Sequence, residues 1–204
     1  CALFGIAALT VLEVVGAIGT RLLMGGRLGK AIESGNVAAG VAAGAHYIAC
    51  GIMTSRAFAG SSLRELSLSV SFFLLATLTH QLLVALFRAH TTYDDGEEIA
   101  GGNLAAAISY AGLSIAVALF VARALDGDFV TWRQSLTGYG LVCAASLMLF
   151  PIRQLVVEGA LLGTRPSFRG GALDKRIGWE RNVAVAALEA GVYVGAALAT
   201  GVLA

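Results

Sequence analysis

The chain has 204 residues, of which 57% are hydrophobic and 13% are charged, and its formal net charge is +1. A soluble domain carries about 25% charged residues, so this chain has too little polar surface to cover a water-soluble globule. The composition therefore favours a protein embedded in a lipid bilayer, and the small net charge gives no sign of a nucleic-acid partner.

Six continuous apolar stretches are long enough to cross a bilayer as helices, which requires about 20 mostly apolar residues each. They are predicted at residues 2–24, 36–58, 66–87, 103–125, 136–157 and 182–203. The apolar residues run without alternation, which favours helices over the strands of a membrane barrel. The predicted fold is all-α, a polytopic transmembrane bundle of about six helices. Pro151 removes a backbone hydrogen bond in the fifth stretch and is expected to kink it.

The connections between the stretches alternate in length. If all six helices span, the long connections at 25–35, 88–102 and 158–181 share one side of the membrane, called the loop face below. Lys and Arg are more numerous on the loop face than on the opposite side. Because positive residues near membrane spans favour the cytoplasm, we expect the long connections there and both termini outside.

A short pattern recurs where the second, fourth and sixth stretches begin: an Asn, an apolar residue and then a helix rich in small residues. Successive copies enter the membrane in the same sense, as parallel tandem repeats do. The pattern predicts three two-helix repeats at residues 1–60, 61–127 and 128–204, within one membrane domain. Its residues are Gly35, Asn36, Gly102, Asn103 and Asn182, with Arg181 where the third copy lacks the Gly.

The recurring Asn has a plain structural interpretation. An Asn at a helix start accepts a hydrogen bond from the backbone of the first turn, and a preceding Gly lets the chain turn sharply. We therefore interpret Asn36, Asn103 and Asn182 as helix caps. A second hypothesis is that the three helix ends converge and bind anions or lipid headgroups with their positive dipole ends.

Two of these segments resemble a known family. Gly-Asn-Val-Ala-Ala at 35–39 and Gly-Asn-Leu-Ala-Ala-Ala-Ile at 102–108 are similar to the repeated signature of the bacterial inner-membrane family called domain of unknown function 350. The polar run before the second segment, from Thr92 to Ile99, resembles the family's lead-in. The likeness is best over 30–125, and typical members resemble two such units rather than three. It implies an inner-membrane location, a fold of paired helices and, from the usual gene neighbours, a role in the envelope, but no established activity.

Ionisable residues inside a bilayer are costly and are therefore candidates for function. The candidates singled out within the predicted helices are Glu13, His46, His80 and Glu189. One interpretation is a relay or ion site that moves protons or binds a cation. The other is structural, with each carboxylate paired to a basic side chain and each imidazole bonded to a carbonyl or hydroxyl. The histidines have no ligand-like spacing, so no metal site is predicted.

Small residues spaced four apart let helices approach closely. Gly40 with Gly44, and Gly191 with Gly195, have this spacing. They are interpreted as helix-packing residues, either between helices of one chain or at an oligomer interface.

The connection at 158–181 mixes basic residues with Phe168 and Trp179, which suits a segment lying on an anionic membrane surface as well as a solvated loop. The candidate headgroup-binding residues are Arg165, Arg169, Lys175 and Arg176.

The sequence contains no P-loop, no Gly-x-Ser-x-Gly and no Cys-x-x-Cys motif, so no catalytic residue, cofactor or metal is predicted. We expect a non-enzymatic scaffold or accessory subunit whose helices pack against partner membrane subunits, or against copies of itself, in an envelope complex. The alternative is a channel or transporter for an ion or small cation, since internal repeats are common in transporters. Transport requires Glu13, His46 and Glu189 on one water-filled cavity, whereas a scaffold requires them on separate neighbours or on another subunit.

Overall fold

The computed structural model describes residues 2–24, 26–58, 62–126 and 129–200, and within these ranges every regular element is helical. The helices are α1 (Ala2–Met24), α2 (Leu28–Glu33), α3 (Val37–Ala57), α4 (Leu63–Arg88), α5 (Asp95–Ala100), α6 (Leu104–Arg123), α7 (Trp132–Leu161), α8 (172–179) and α9 (Val183–Ala199). The predicted all-α class is confirmed.

Five helices, α1, α3, α4, α6 and α7, are long and apolar enough to cross a membrane. The sixth predicted stretch forms α9, an apolar helix of 17 residues. The end of that prediction, residues 201–203, lies outside the described residues. The chain is thus a helical membrane protein, compatible with the predicted bundle of about six helices.

Two predicted helix starts are a turn too late, because polar residues were assigned to the connections. Ser62 and Glu65 form a capping box, in which the serine accepts from the Glu65 N–H and the glutamate accepts from the Ser62 N–H. This box starts α4 at Leu63. The hydroxyl of Thr131 accepts from a backbone N–H of the first turn and starts α7 at Trp132.

The fifth stretch continues through Pro151 as one irregular helix. A 3₁₀ turn at Ser146–Met148 precedes the proline, and a π-helical segment at Arg153–Leu161 follows it. Such segments rearrange the backbone bonds where a proline removes one. As a consequence, Glu158 lies inside α7 rather than at the start of a polar loop, which corrects the predicted connection.

The long connections hold three short helices that the hydrophobic pattern did not predict. α2, α5 and α8 each end just before a cap asparagine, so each leads into one of the helices α3, α6 and α9. We call them the lead-in helices. These helices are short and mix polar and apolar residues, so the sequence shows no hydrophobic periodicity long enough to identify them as helices.

The core of the bundle is α6, which packs extensively against α3 and α9, while α3 and α9 make at most marginal contact with each other. In α6, 72% of the most apolar window is buried, against 22% in α1. Small residues permit the close approach: a Cβ added to Gly112 of α6 would lie 2.3 Å from Ala190 Cα of α9. The three helices therefore form a row, with α4 packed against α3 and α6, and α7 against α6.

Candidate functional site

Each cap asparagine begins a helix of this row. The Oδ1 atoms of Asn36, Asn103 and Asn182 accept a hydrogen bond from the backbone N–H three positions later, at 3.1 Å in each case. The residue before each cap has a left-handed backbone, with φ of 83° at Gly35, 78° at Gly102 and 52° at Arg181. Arg181 thus adopts the same sharp turn as the glycines, at a steric cost that glycine does not carry.

The same asparagines also join neighbouring helix pairs. The side-chain N–H₂ of Asn36 donates to the carbonyls of Ile99 and Ala100, at 2.9 and 3.1 Å, at the end of lead-in helix α5. Asn103, which is fully buried, donates in the same way to two carbonyls at the end of α8, at 3.0 and 3.1 Å. We call this contact the Asn staple. The staples bring the three caps to one end of the bundle.

Asn182 caps α9, but its N–H₂ group donates to no residue in the described part of the chain. We therefore expect Asn103→Ala to destabilise the solubilised, monomeric chain by about 2–3 kcal/mol, for a lost cap and two orphaned buried carbonyls. Asn182→Ala loses only the cap, about 1 kcal/mol. Unfolding titrations of both variants in detergent measure the difference, and equal losses would contradict the role of the staple.

Close to the Asn staples, the bundle contains a buried network of charged side chains and one serine. Arg88 pairs with Asp95 and donates to the hydroxyl of Ser109 at 3.1 Å. Ser109 in turn donates to Glu189 at 2.5 Å. We call this set, continued below, the ion network: Arg88, Asp95, Ser109, Arg153, Asp174 and Glu189.

The second half of the ion network is centred on Arg153. Its guanidinium donates to Glu189 at 2.6 Å and to Asp174 at 2.7 Å, and the guanidinium, Glu189 and Asp174 are all almost completely buried. The network thus holds three carboxylates against two guanidiniums. Buried charges are tolerated when they are paired and hydrogen-bonded, so this network fixes α4, α7, α8 and α9 relative to one another.

Asp95 of the ion network and the neighbouring Tyr93 lie outside the spans, and burial shifts the pKa of both side chains. Burial raises the pKa of the Asp95 carboxyl above its ordinary value, and the Arg88 guanidinium only partly offsets this. Burial also raises the pKa of Tyr93, whose hydroxyl accepts from Arg88, to about 12. Tyr93 is therefore neutral at physiological pH.

Of the ion network, sequence reasoning named only Glu189 as a candidate site residue. Asp95 lies in the polar run from Thr92 to Ile99, and the hydrophobic pattern singled out neither Arg88 nor Arg153 nor Asp174. A usable signal existed: Asp95 and Asp174 each stand eight positions before a cap asparagine. Comparing the repeats position by position, rather than only at the signature, finds both aspartates.

The two predicted intramembrane histidines lie together, away from the ion network. The rings of His46 and His80 are fully buried with centroids 6.1 Å apart. His80 Nε2 lies 3.0 Å from the backbone oxygen of Ser114, and His46 Nε2 lies 3.6 Å from the sulfur of Cys50. The Nδ1 atoms of both rings and the Nε2 of the neighbouring Gln81 have no hydrogen-bond partner among the described residues. The described residues contain no group suited to a metal ion.

Glu13 lies apart from the other intramembrane candidates. It is exposed in the middle of α1, on a face that also carries the exposed side chains of Ile6 and Leu9, seven and four residues earlier. No described residue donates a hydrogen bond to it. A carboxylate facing lipid at that depth is costly, so this face is suited to contact with another polypeptide.

The four predicted packing glycines also face outwards. A Cβ added to Gly40, Gly44, Gly191 or Gly195 would meet no atom within 4 Å. Packing between helices of one chain, one of the two interpretations of their spacing, is therefore not their role among the described residues. Gly112, which was not predicted as a packing residue, makes the close contact instead.

The basic residues of the last long connection lie at the surface. Arg165, Arg169 and Lys175 are exposed and Arg176 is half-buried, beside the exposed rings of Phe168 and Trp179. This arrangement presents cations and amphipathic rings together, as segments at a membrane surface do.

The buried carboxylate of Glu158 binds backbone N–H groups of the same connection. It accepts from the backbone N–H of Ser167 at 2.8 Å and of Leu173 at 3.1 Å. It also leaves no room for a side chain at Gly171, where an added Cβ would lie 2.1 Å from its Oε1. Glu158 therefore folds the connection back onto α7.

A cavity of about 890 Å³ opens at the other end of the bundle, between the ends of α3 and α6 and the starts of α4 and α7. Its lining includes Arg64, Arg123 and Tyr139, but none of Glu13, His46 or Glu189. Glu13, His46 and Glu189, the three residues that transport requires on one cavity, therefore do not share this one.

The comparisons with known proteins confirm the family that the sequence resembles, but over a later part of the chain than residues 30–125, where the likeness was expected to be best. The model of a family described as Domain of Unknown Function (DUF350) matches residues 61–203. No curated protein and no solved structure matches the chain.

Proposed function

Because the chain belongs to the family described as Domain of Unknown Function (DUF350), which names no activity, we propose its function from the geometry. We propose that it is a non-enzymatic scaffold or accessory subunit of the bacterial inner membrane. Its outward-facing helix surfaces bind further membrane polypeptides in an envelope complex. The long connections lie in the cytoplasm, where the basic residues Arg165, Arg169, Lys175 and Arg176 contact the anionic leaflet.

The observation that carries this proposal is the position of Glu13. A carboxylate in the middle of an apolar span is stable only when another group covers it, and within the described chain nothing does. His46 and Glu189 lie elsewhere, each enclosed among its own neighbours. This separation supports a scaffold, whose polar groups serve packing, over a path through one common cavity.

A photo-crosslinking residue placed at position 13 tests the proposal in bacterial membranes. We expect adducts with a polypeptide of defined mass, because α1 presents this face to a partner. The matched control is the same residue at Leu78, which is 59% exposed on α4, one turn from the exposed Leu74 and Leu82. Adducts with lipid alone at position 13, equal to those at position 78, would overturn the scaffold proposal.

Transport of a proton or small cation is the second candidate, and the buried histidine pair is the observation that favours it. His46, His80 and Gln81 together hold three unpartnered polar atoms deep in the bundle, and such atoms in native structures call for an explanation. Purified protein in liposomes with a pH-sensitive dye separates the two functions. We expect flux equal to that of empty liposomes, whereas flux that is abolished by His80→Gln and kept by Arg169→Gln would establish transport.

A further inference from the structure

We propose that the chain assembles head to tail with further copies of itself, the outer face of α9 in one copy packing against α3 and α1 of the next. This inference rests on the proposed scaffold function and names its partner, a second copy of this chain. The contact continues the row that already joins α3 to α6 and α6 to α9 within one copy. Such a head-to-tail contact is heterologous, and repeated use closes a ring or extends a row.

The Asn staple is the first reason. Within one copy it occurs twice, and each time the cap asparagine of one row helix donates to carbonyls at the end of the next lead-in helix. Asn182 is the third cap, and its N–H₂ group has no acceptor in the described chain. The acceptors stand four and three positions before the next cap asparagine in the first staple, and five and four positions before it in the second. The position common to both is Ile32 on α2, four positions before Asn36, and this residue is exposed at the free end of the row.

The glycines at the two free ends give the second reason. Gly112 and Ala190, whose contact brings α6 and α9 together, lie nine and eight positions after their respective cap asparagines. On the free face of α9, the residue nine positions after the cap asparagine is Gly191. On the free face of α3, the residue eight positions after the cap asparagine is Gly44. Both are open, with no atom within 4 Å of an added Cβ. The two free faces therefore have the small residues that the internal contact uses.

Glu13 gives the third reason. Within one copy, α4 packs against both its own row helix, α6, and the preceding row helix, α3. By the same rule, α1 packs against its own α3 and against α9 of the preceding copy. That placement covers the exposed face of α1 around Glu13, which is otherwise left to lipid. One contact thus accounts for the unused staple, the open glycines and the exposed carboxylate.

Pairwise cysteine crosslinking tests the geometry in bacterial membranes. Two differently tagged chains, one with Leu188→Cys on α9 and the other with Gly44→Cys on α3, are coexpressed and treated with a short bismaleimide. We expect a crosslinked product that carries both tags. All chains carry Cys1→Ser, because the sequence has a third cysteine at position 1. Each variant alone is then expected to give no more product than the chain with Cys1→Ser only, whose Cys50 and Cys143 are buried. Crosslinking of Leu188→Cys to itself would show a two-fold contact, and no mixed product would also overturn the proposal.

A mass measurement on the purified protein in lipid nanodiscs provides an independent test. The natural chain is expected to be oligomeric, and Gly191→Leu is expected to give monomers that keep their helical content, because no described atom lies within 4 Å of a Cβ added at Gly191. The control is Gly138→Leu, an equally open glycine that lines the chain's own cavity instead of a free end. If Gly191→Leu and Gly138→Leu have the same mass distribution as the natural chain, the contact is wrong.

Failure here is distinguishable from failure of the scaffold proposal. Adducts at position 13 with a different polypeptide, together with no mixed product between positions 188 and 44, would leave the scaffold and remove the self-assembly. Adducts with lipid alone would remove the scaffold.

Discussion

Replacing Arg153 with methionine is expected to destabilise the folded chain by about 3–5 kcal/mol, the usual cost of breaking a buried ion pair by removing one partner. The methionine fills much of the same volume, so the loss is electrostatic rather than a cavity. Without the guanidinium, the carboxylates of Glu189 and Asp174 remain buried with their strongest donor gone. The measurement is the unfolding midpoint in detergent, which is expected to fall by roughly 10 °C.

Two further variants serve as controls for this result, one outside the ion network and one within it. Arg169→Met removes an exposed arginine from the same end of the bundle, and is expected to change stability by less than about 0.5 kcal/mol. Glu189→Gln is expected to cost clearly less than Arg153→Met, because it leaves two carboxylates against two guanidiniums. If Arg153→Met were no worse than Arg169→Met, the ion network would not stabilise the fold.

The spans of this protein were predictable because lipid imposes a simple rule on sequence: about 20 apolar residues in succession. The first predicted helix, 2–24, has the bounds observed for α1. The starts of α4 and α7 were predicted late because their caps, Ser62 and Thr131, lie in polar segments that hydropathy alone assigns to loops. Local hydrogen-bonding chemistry, rather than hydrophobicity, decides these boundaries.

The ion network was not predictable from hydropathy, for a different reason. Its members come from α4, α5, α6, α7, α8 and α9, and their meeting depends on how the lead-in helices fold back over the row. Arg153 lay within the fifth predicted stretch, but the π-helical segment that begins at this residue follows a proline whose effect on a helix varies with its surroundings. The recurrence of the cap asparagines predicted where the second helix of each pair begins, but not that their side-chain amides join one pair to the next.

The close approach of α6 and α9 gives the other large effect. Gly112→Ala is expected to destabilise the solubilised chain by about 3 kcal/mol, near the upper end of what overpacking costs. The added methyl group lies 2.3 Å from Ala190 Cα and 2.4 Å from its Cβ, and a backbone atom cannot move aside as a flexible side chain does. The helices must separate, which also lengthens the bond from Ser109 to Glu189 one turn away.

The matched control is Gly138→Ala on α7, where an added Cβ meets nothing within 4 Å. In a helix this change is expected to be neutral or to stabilise by up to about 1 kcal/mol, since alanine favours helix over glycine. Unfolding titrations of both variants under one detergent condition compare steric overlap with helix propensity directly. Both substitutions replace a helical glycine with alanine. A lower free energy of unfolding for Gly112→Ala, together with an unchanged or higher one for Gly138→Ala, therefore isolates the effect of the α6–α9 contact. Equal stability of the two variants would mean that α6 and α9 are not held this closely in the membrane.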